Sequence, residues 1–183
     1  MRASSRHKTP DNGMIAACIC GGVEIEVVGT PITSVVCYCD DCQEGARQIE
    51  ALPGAPAILD AAGGSAYLVY RKDRVSCSKG AALLRPLKIR ATSVTNRVIA
   101  ACCNSAMLLN FDDSKHWIDI YRERFRGTAP PTQMHLCTRF KRPVHEVPHG
   151  IPGYAGYPVK FLAQLAKARV AMSLARILSP GEG

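Results

Sequence analysis

Polar and apolar residues alternate strictly where the chain reads V-E-I-E-V, which puts Val23, Ile25 and Val27 on one face and Glu24 and Glu26 on the other. A period of two is that of a half-buried strand. Gly29-Thr-Pro31 breaks the pattern, and the apolar run ITSVVC (Ile32–Cys37) follows, so two strands joined by a turn are predicted. Shorter β-like pieces recur at Ala57–Leu59, Ala66–Arg71, Arg74–Cys77, Leu87–Ala91 and Val98–Cys102, most of them bounded by Gly, Pro, Asp or Ser. Many short strands predict a mostly β domain.

One segment has a different period. From Pro158, the sequence PVKFLAQLAKARVAMSLARIL spaces Phe161, Leu162, Leu165, Val170, Leu174 and Leu178 among Ala, Lys, Arg and Gln, as an amphipathic helix does. Pro158 suits its first turn and Ser179-Pro180-Gly181 its stop. Its apolar face predicts packing on the sheet or on a subunit neighbour, the second of which would make a homo-oligomer. At the other end, residues 1–13 lack apolar periodicity and close on the turn signal Asp11-Asn12-Gly13, so they read as a loose tail. The expected organisation is therefore a tail (1–13), a β domain (14–142), and a Pro/Gly-rich connection leading to a helix packed on the same domain (143–183).

A length of 183 residues with 47% hydrophobic content supports one domain with a real core. Lys and Arg outnumber Asp and Glu by 23 to 15, for a formal charge of +8, but metal-bound thiolates at two sites would lower this to about +5. The basic residues are scattered through RKDR, RERFR and RFKR, two of them interrupted by acids and none interleaved with stacking aromatics at regular spacing, which argues for a solvated surface and against a nucleic-acid partner. The polar N-terminus lacks the apolar core of a secretory signal, and no run approaches the ~18 apolar residues of a membrane span. A cytoplasmic protein with no membrane partner is expected, and in a reducing compartment its nine cysteines call for something other than disulfides.

The cysteine spacing favours metal. A disulfide across one residue is strained, and nine is an odd number, whereas Cys18-Ile-Cys20-Gly-Gly is a turn in which two sulfurs can converge. Cys37-Tyr-Cys39-Asp-Asp-Cys42 places three thiols within six residues, with Asp40 and Asp41 suggesting a polar loop. The alternatives are a redox dithiol or chance; among metals zinc leads and iron–sulfur is the rival. Three local thiolates leave a tetrahedral ion one ligand short, as in catalytic zinc sites. Cys18 and Cys20 must instead recruit partners, with Cys102 and Cys103 the first candidates and Cys77 the reserve, to make a closed structural site.

These residues resemble a known family. CICGG, then CYCDDCQ about twenty residues on, then a later cysteine group before a small turn residue and a hydroxyl residue, look like the glutathione-dependent formaldehyde-activating enzyme (Gfa) family, which includes centromere protein V. The resemblance covers roughly Met14 to Asn110. It implies a β-tent-like (Mss4-like) fold of short antiparallel strands and two zinc ions per chain. Cys18 and Cys20 match the first half of a structural site, and Cys37, Cys39 and Cys42 match a catalytic triple. The third motif departs from the family's C-x-x-C-G-[ST]: in AACCNS, Cys103, Asn104 and Ser105 fit, but Ala100 stands where the first cysteine belongs, so Cys102 or Cys77 must compensate. Cys102 could instead serve the other site or the core. The CC variant looks like a bacterial branch of the family.

The implied chemistry is that of a carbon–sulfur lyase: a low-molecular-weight thiol such as glutathione binds the triple's zinc as thiolate and forms a hemithioacetal with a small aldehyde such as formaldehyde. The alternative is a non-catalytic zinc domain that binds a protein or nucleic-acid partner. Among other residues, His116, His135, His145 and His149 each read as surface or core, with His145 or His149 the alternative ligand that could close the second zinc site. Cys137 reads as a core thiol and Tyr38 as lining the pocket. Asp40 and Asp41 either support the ligands or solvate the loop, and Gly63-Gly64 reads as a turn.

Overall fold

The computed structural model describes residues 13–143 and 150–178. The tail lies outside that range except for Gly13, as do His145, His149 and the Ser-Pro-Gly stop. The expected mostly β fold with a C-terminal helix is what the chain adopts.

Among the described residues, ten strands form two sheets. In the smaller, β1 (Gly13–Ala17), β2 (Glu24–Val28) and β5 (Val75–Lys79) pair antiparallel in the order β1-β2-β5. The alternation read at V-E-I-E-V is realised here, with Val23, Ile25 and Val27 at most 1% exposed. The larger sheet runs β10 (Met134–Leu136), β3 (Thr33–Cys37), β4 (Ser65–Arg71), β9 (Trp117–Tyr121), β8 (Ser105–Phe111), β7 (Thr95–Ala100), β6 (Leu84–Leu87). Among the strand pairs of the described residues, only β10–β3 is parallel. Leu87–Ala91 is strand only at its first residue, because β6 ends there, and Ala57–Leu59 contributes a single bridge, Leu59 to Ser65. Pro86 fits β6 because that strand is the sheet's edge, where one N–H needs no partner.

The large sheet is covered on both faces, which explains why its central strands read as continuous apolar runs without alternation. On one face Leu68, Tyr70, Met107, Leu108 and Ile120 pack against Val23, Ile25 and Val27 of the small sheet. On the other, Val35, Tyr67, Val69, Leu109 and Tyr121 pack against two helices. The first, α1 (Asp40–Glu50), supplies Cys42, Ala46 and Ile49, and the second, α2 (Val159–Leu178), supplies Phe161 and Leu165. His116 and His135 are both buried; His116 Nε2 sits 2.8 Å from the carbonyl oxygen of Leu165 and so ties α2 to the sheet. Along α2, Val159, Leu162, Val170, Leu174 and Ile177 remain more than half exposed. Among the described residues, no helix is long and apolar enough to cross a membrane.

The helix α1 corrects the polar loop expected around Asp40 and Asp41. Both acids occupy the first helical turn with exposed side chains, where negative charge complements the helix dipole. Cys42, Ala46 and Ile49, at i, i+4 and i+7, form the buried stripe.

Candidate metal centres

The first cysteine group forms where two hairpin ends meet. The β1–β2 connection turns at Cys18–Gly21, closed by a 3.0 Å bond from the Gly21 N–H to the Cys18 carbonyl. The β7–β8 connection turns through Ala101–Asn104. The four sulfurs of Cys18, Cys20, Cys102 and Cys103 all lie within 4.8 Å of one another. Four separations are 3.5 Å (Cys18–Cys20), 3.8 Å (Cys18–Cys102), 3.3 Å (Cys20–Cys102) and 3.9 Å (Cys102–Cys103). A tetrahedron with metal–sulfur bonds of ~2.3 Å has edges of ~3.8 Å. The group therefore has the dimensions to hold a metal ion.

Two local devices let adjacent cysteines share this centre. Asn104 takes the left-handed conformation (φ 51°), which asparagine tolerates better than most residues, and its side-chain amide donates to the Pro53 carbonyl at 3.0 Å. Gly22 keeps the loop close, since a β-carbon there would stand 3.1 Å from the Cys102 sulfur and 3.4 Å from that of Cys20. Polar groups also face the sulfurs, as around metal thiolates. The Val23 N–H donates to Cys18 Sγ at 3.2 Å, and the Ser105 hydroxyl lies 3.1 Å from Cys103 Sγ. At Cys103 burial raises the thiol pKa, but the Ser105 hydroxyl and the backbone N–H groups of Cys20 and Ser105 more than offset it and bring it down to about 6. Cys77, the reserve ligand, stays outside the group: it is exposed and donates to the Lys79 carbonyl at 3.2 Å.

The second group, Cys37, Cys39 and Cys42, likewise has its sulfurs within 4.8 Å of one another. Cys37 ends β3, Cys39 is the extended residue that caps α1, and Cys42 lies in the helix's first turn. The strand-to-helix junction brings the three together. Cys37 and Cys39 share a face, so Tyr38 points the other way and does not line the cavity as expected: it packs with Val36 and Ala62, and its hydroxyl lies 3.2 Å from both Asp60 Oδ2 and His135 Nδ1.

Crowding dominates the electrostatics of this group. Hydrogen bonds from the thiols of Cys37 and Cys42 hold Cys39 as thiolate, far below its usual range, while Cys37, bonded to Cys137, Cys39 and Cys42 and buried, is held well above it. One negative charge is thus shared among thiols whose protons a cation would replace. Cys137, expected as a core thiol, is buried as expected but stands against Cys37; the bond from Cys37 outweighs burial and lowers it to about 7. It is not one of the three sulfurs that lie mutually within 4.8 Å. Its place beside the site comes from β10, which pairs with β3 over a long sequence separation, Leu136 opposite Cys37. The hydroxyl of Tyr157 reaches both Cys39 and Cys137.

The triple lines a cavity of ≈ 380 Å³ between the large sheet, the start of α1 and α2. Its walls are mainly apolar, from Val69, Leu109, Phe111, Trp117, Phe161 and Leu165, with Asp41, Arg97, Lys115 and Asp119 as charged members. Asp119, in β9, has one carboxylate oxygen buried without a partner. Burial raises its pKa to about 7; Lys115 opposes the shift and the charge on Cys39 adds to it. None of Cys137, Arg97 and Asp119 carries a local motif, so sequence reasoning assigned them no site role.

The chain can be set beside known proteins. No curated protein matches it. A solved crystal structure of a Rhodobacter sphaeroides protein is similar at 18% identity, with a TM-score of 0.46 over 64% of this chain and 92% of that one. Residues 12–120, which contain both cysteine groups, Arg97 and Asp119, match the model of a family described as of unknown function, DUF6151. That match spans more than half of the 183 residues, and the chain belongs to the DUF6151 family.

Proposed function

We propose that the protein binds two zinc ions, one as a structural staple at Cys18, Cys20, Cys102 and Cys103, and one at Cys37, Cys39 and Cys42 that receives a small thiol. On this reading the second centre handles the adduct of glutathione, or another low-molecular-weight thiol, with a small aldehyde, the carbon–sulfur lyase chemistry that the resemblance to the Gfa family implies. The observation that carries the reading is that three converging sulfurs open onto a cavity of ≈ 380 Å³. Thiolate-rich sites favour zinc, and bound zinc supplies a thiol with a lowered pKa. The apolar walls exclude water from a reacting thiol, and Tyr157 stands where it can donate a hydrogen bond to sulfur.

Cys39→Ala tests this. The expected result is loss of one of two bound zincs and of thiol binding, with an unchanged circular dichroism spectrum, because Cys39 is only partly buried. Full thiol binding by that variant would refute the mechanism. A second reading, a closed and non-catalytic zinc domain serving a partner, is favoured by Cys137, whose thiol is bonded to Cys37 and could complete four ligands. Cys137→Ser separates the two. The open centre predicts unchanged zinc content with thiol binding retained, whereas the closed centre predicts zinc loss.

A further inference from the structure

Arg97 is an expensive residue for a structural role. It is 2% exposed, its Nη2 donates to the Asp41 carbonyl at the start of α1, and its Nε and Nη1 have no partner. None of the ion pairs among the described residues includes it. A guanidinium has five N–H donors, and burying that cation for one carbonyl leaves most of its desolvation uncompensated. The packing also gives way to it: a β-carbon on Gly45, inside α1, would lie 1.7 Å from Arg97 Nε, so a mid-helix glycine, itself destabilising, makes room for the side chain.

What Arg97 reaches is the cavity of the cysteine triple, whose wall it forms in part. We propose that Arg97 anchors a carboxylate on the small molecule that enters this cavity, and that the ligand class is a compact thiol acid with its sulfur at Cys37, Cys39 and Cys42 and its carboxylate on the guanidinium. The sulfur half of this assignment rests on the function proposed above; the carboxylate half rests on Arg97 alone. With one N–H of Nη2 taken by Asp41, the group keeps a two-donor edge without a partner, either Nε with Nη2 or Nη1 with Nη2, and such a fork matches a carboxylate. The cavity's other cation is already engaged, since Lys115 pairs with Asp113.

The test is calorimetric titration of the full-length, zinc-reconstituted protein with 3-mercaptopropionate, its neutral amide, and propionate. The wild type is expected to bind the thiol acid about tenfold or more tighter than the thiol amide, the effect of a charged hydrogen bond. In Arg97→Gln, whose side-chain amide can still donate to Asp41, that preference should vanish while the amide's affinity changes by less than about twofold. Equal affinity of the wild type for acid and amide overturns the proposal without any variant, as does a preference that survives Arg97→Gln in a folded protein. If neither thiol binds, the metal–thiol reading has failed, and the carboxylate site is judged on propionate. Saturable binding that Arg97→Gln abolishes supports the site; no binding overturns it.

Discussion

Replacing Cys18 by serine is expected to remove one of two bound metal ions and, with it, the cooperative thermal transition. Cys18 is 3% exposed and sits in the core between the two sheets, so it is both a ligand candidate and a packed residue. The four sulfurs tie the β1–β2 loop to the β7–β8 turn, more than eighty residues further on. A structural thiolate centre contributes on the order of 10 kcal/mol to folding, about the whole net stability of a typical domain. At about 2–4 °C per kcal/mol, the midpoint should fall by tens of degrees or the transition should disappear. Metal analysis and scanning calorimetry read both effects. A strong chelator added to the wild type should reproduce the unfolding, which separates metal loss from the packing cost of serine. Cys77→Ser is the control, exposed and outside the group, and should move stability by less than about 0.5 kcal/mol. Normal metal content and midpoint in Cys18→Ser would remove the staple from the account.

The cysteine groups were legible because their spacing is local: CICGG and CYCDDCQ each announce converging sulfurs before any fold is known. The partner of the first group was legible only as a choice between Cys102 and Cys77. Adjacent ligands need an unusual backbone, and that backbone depends on the left-handed Asn104 and on the irregular pairing of β7 with β8 at Val98/Ile99. The helix α1 carried its own signal, an i, i+4, i+7 stripe behind two acids, but its first stripe residue is Cys42, and a cysteine read as a ligand drops out of the hydrophobic period. Beyond Cys102 the strand β8 gave no alternating signal because its residues are buried on both faces, and β10 is too short, at three residues, to show a period. The cavity could not be read at all. Arg97, Asp119 and Tyr157, which line it, and Cys137, which stands against Cys37, come from distant parts of the chain, and strand pairing and the packing of α2 bring them together.

Asp119→Asn is expected to stabilise the protein in a pH-dependent way. The carboxyl group has its pKa raised to about 7 in the fold, from an ordinary 3.8, mainly by burial against the apolar wall. Below about pH 4 it is protonated folded and unfolded, and the substitution should have little effect. Between pH 4 and 7 the folded state holds a proton that the unfolded state has lost, so stability falls as pH rises, by up to about 1.4 kcal/mol per unit. Above pH 7 both states are ionised and the loss is complete, on the order of 4 kcal/mol at most. Asparagine has the shape of the protonated acid and no such titration. The difference in unfolding free energy between variant and wild type, measured by denaturant titration of the metal-loaded proteins, should therefore grow from pH 5 to pH 7 and level off by pH 8. A flat difference would show that Asp119 is solvated and ordinary. A rising one would mean that the chain keeps a carboxyl, at a cost in stability, in the cavity that the three thiols share, and a group kept against its own solvation free energy is best explained by what enters that cavity.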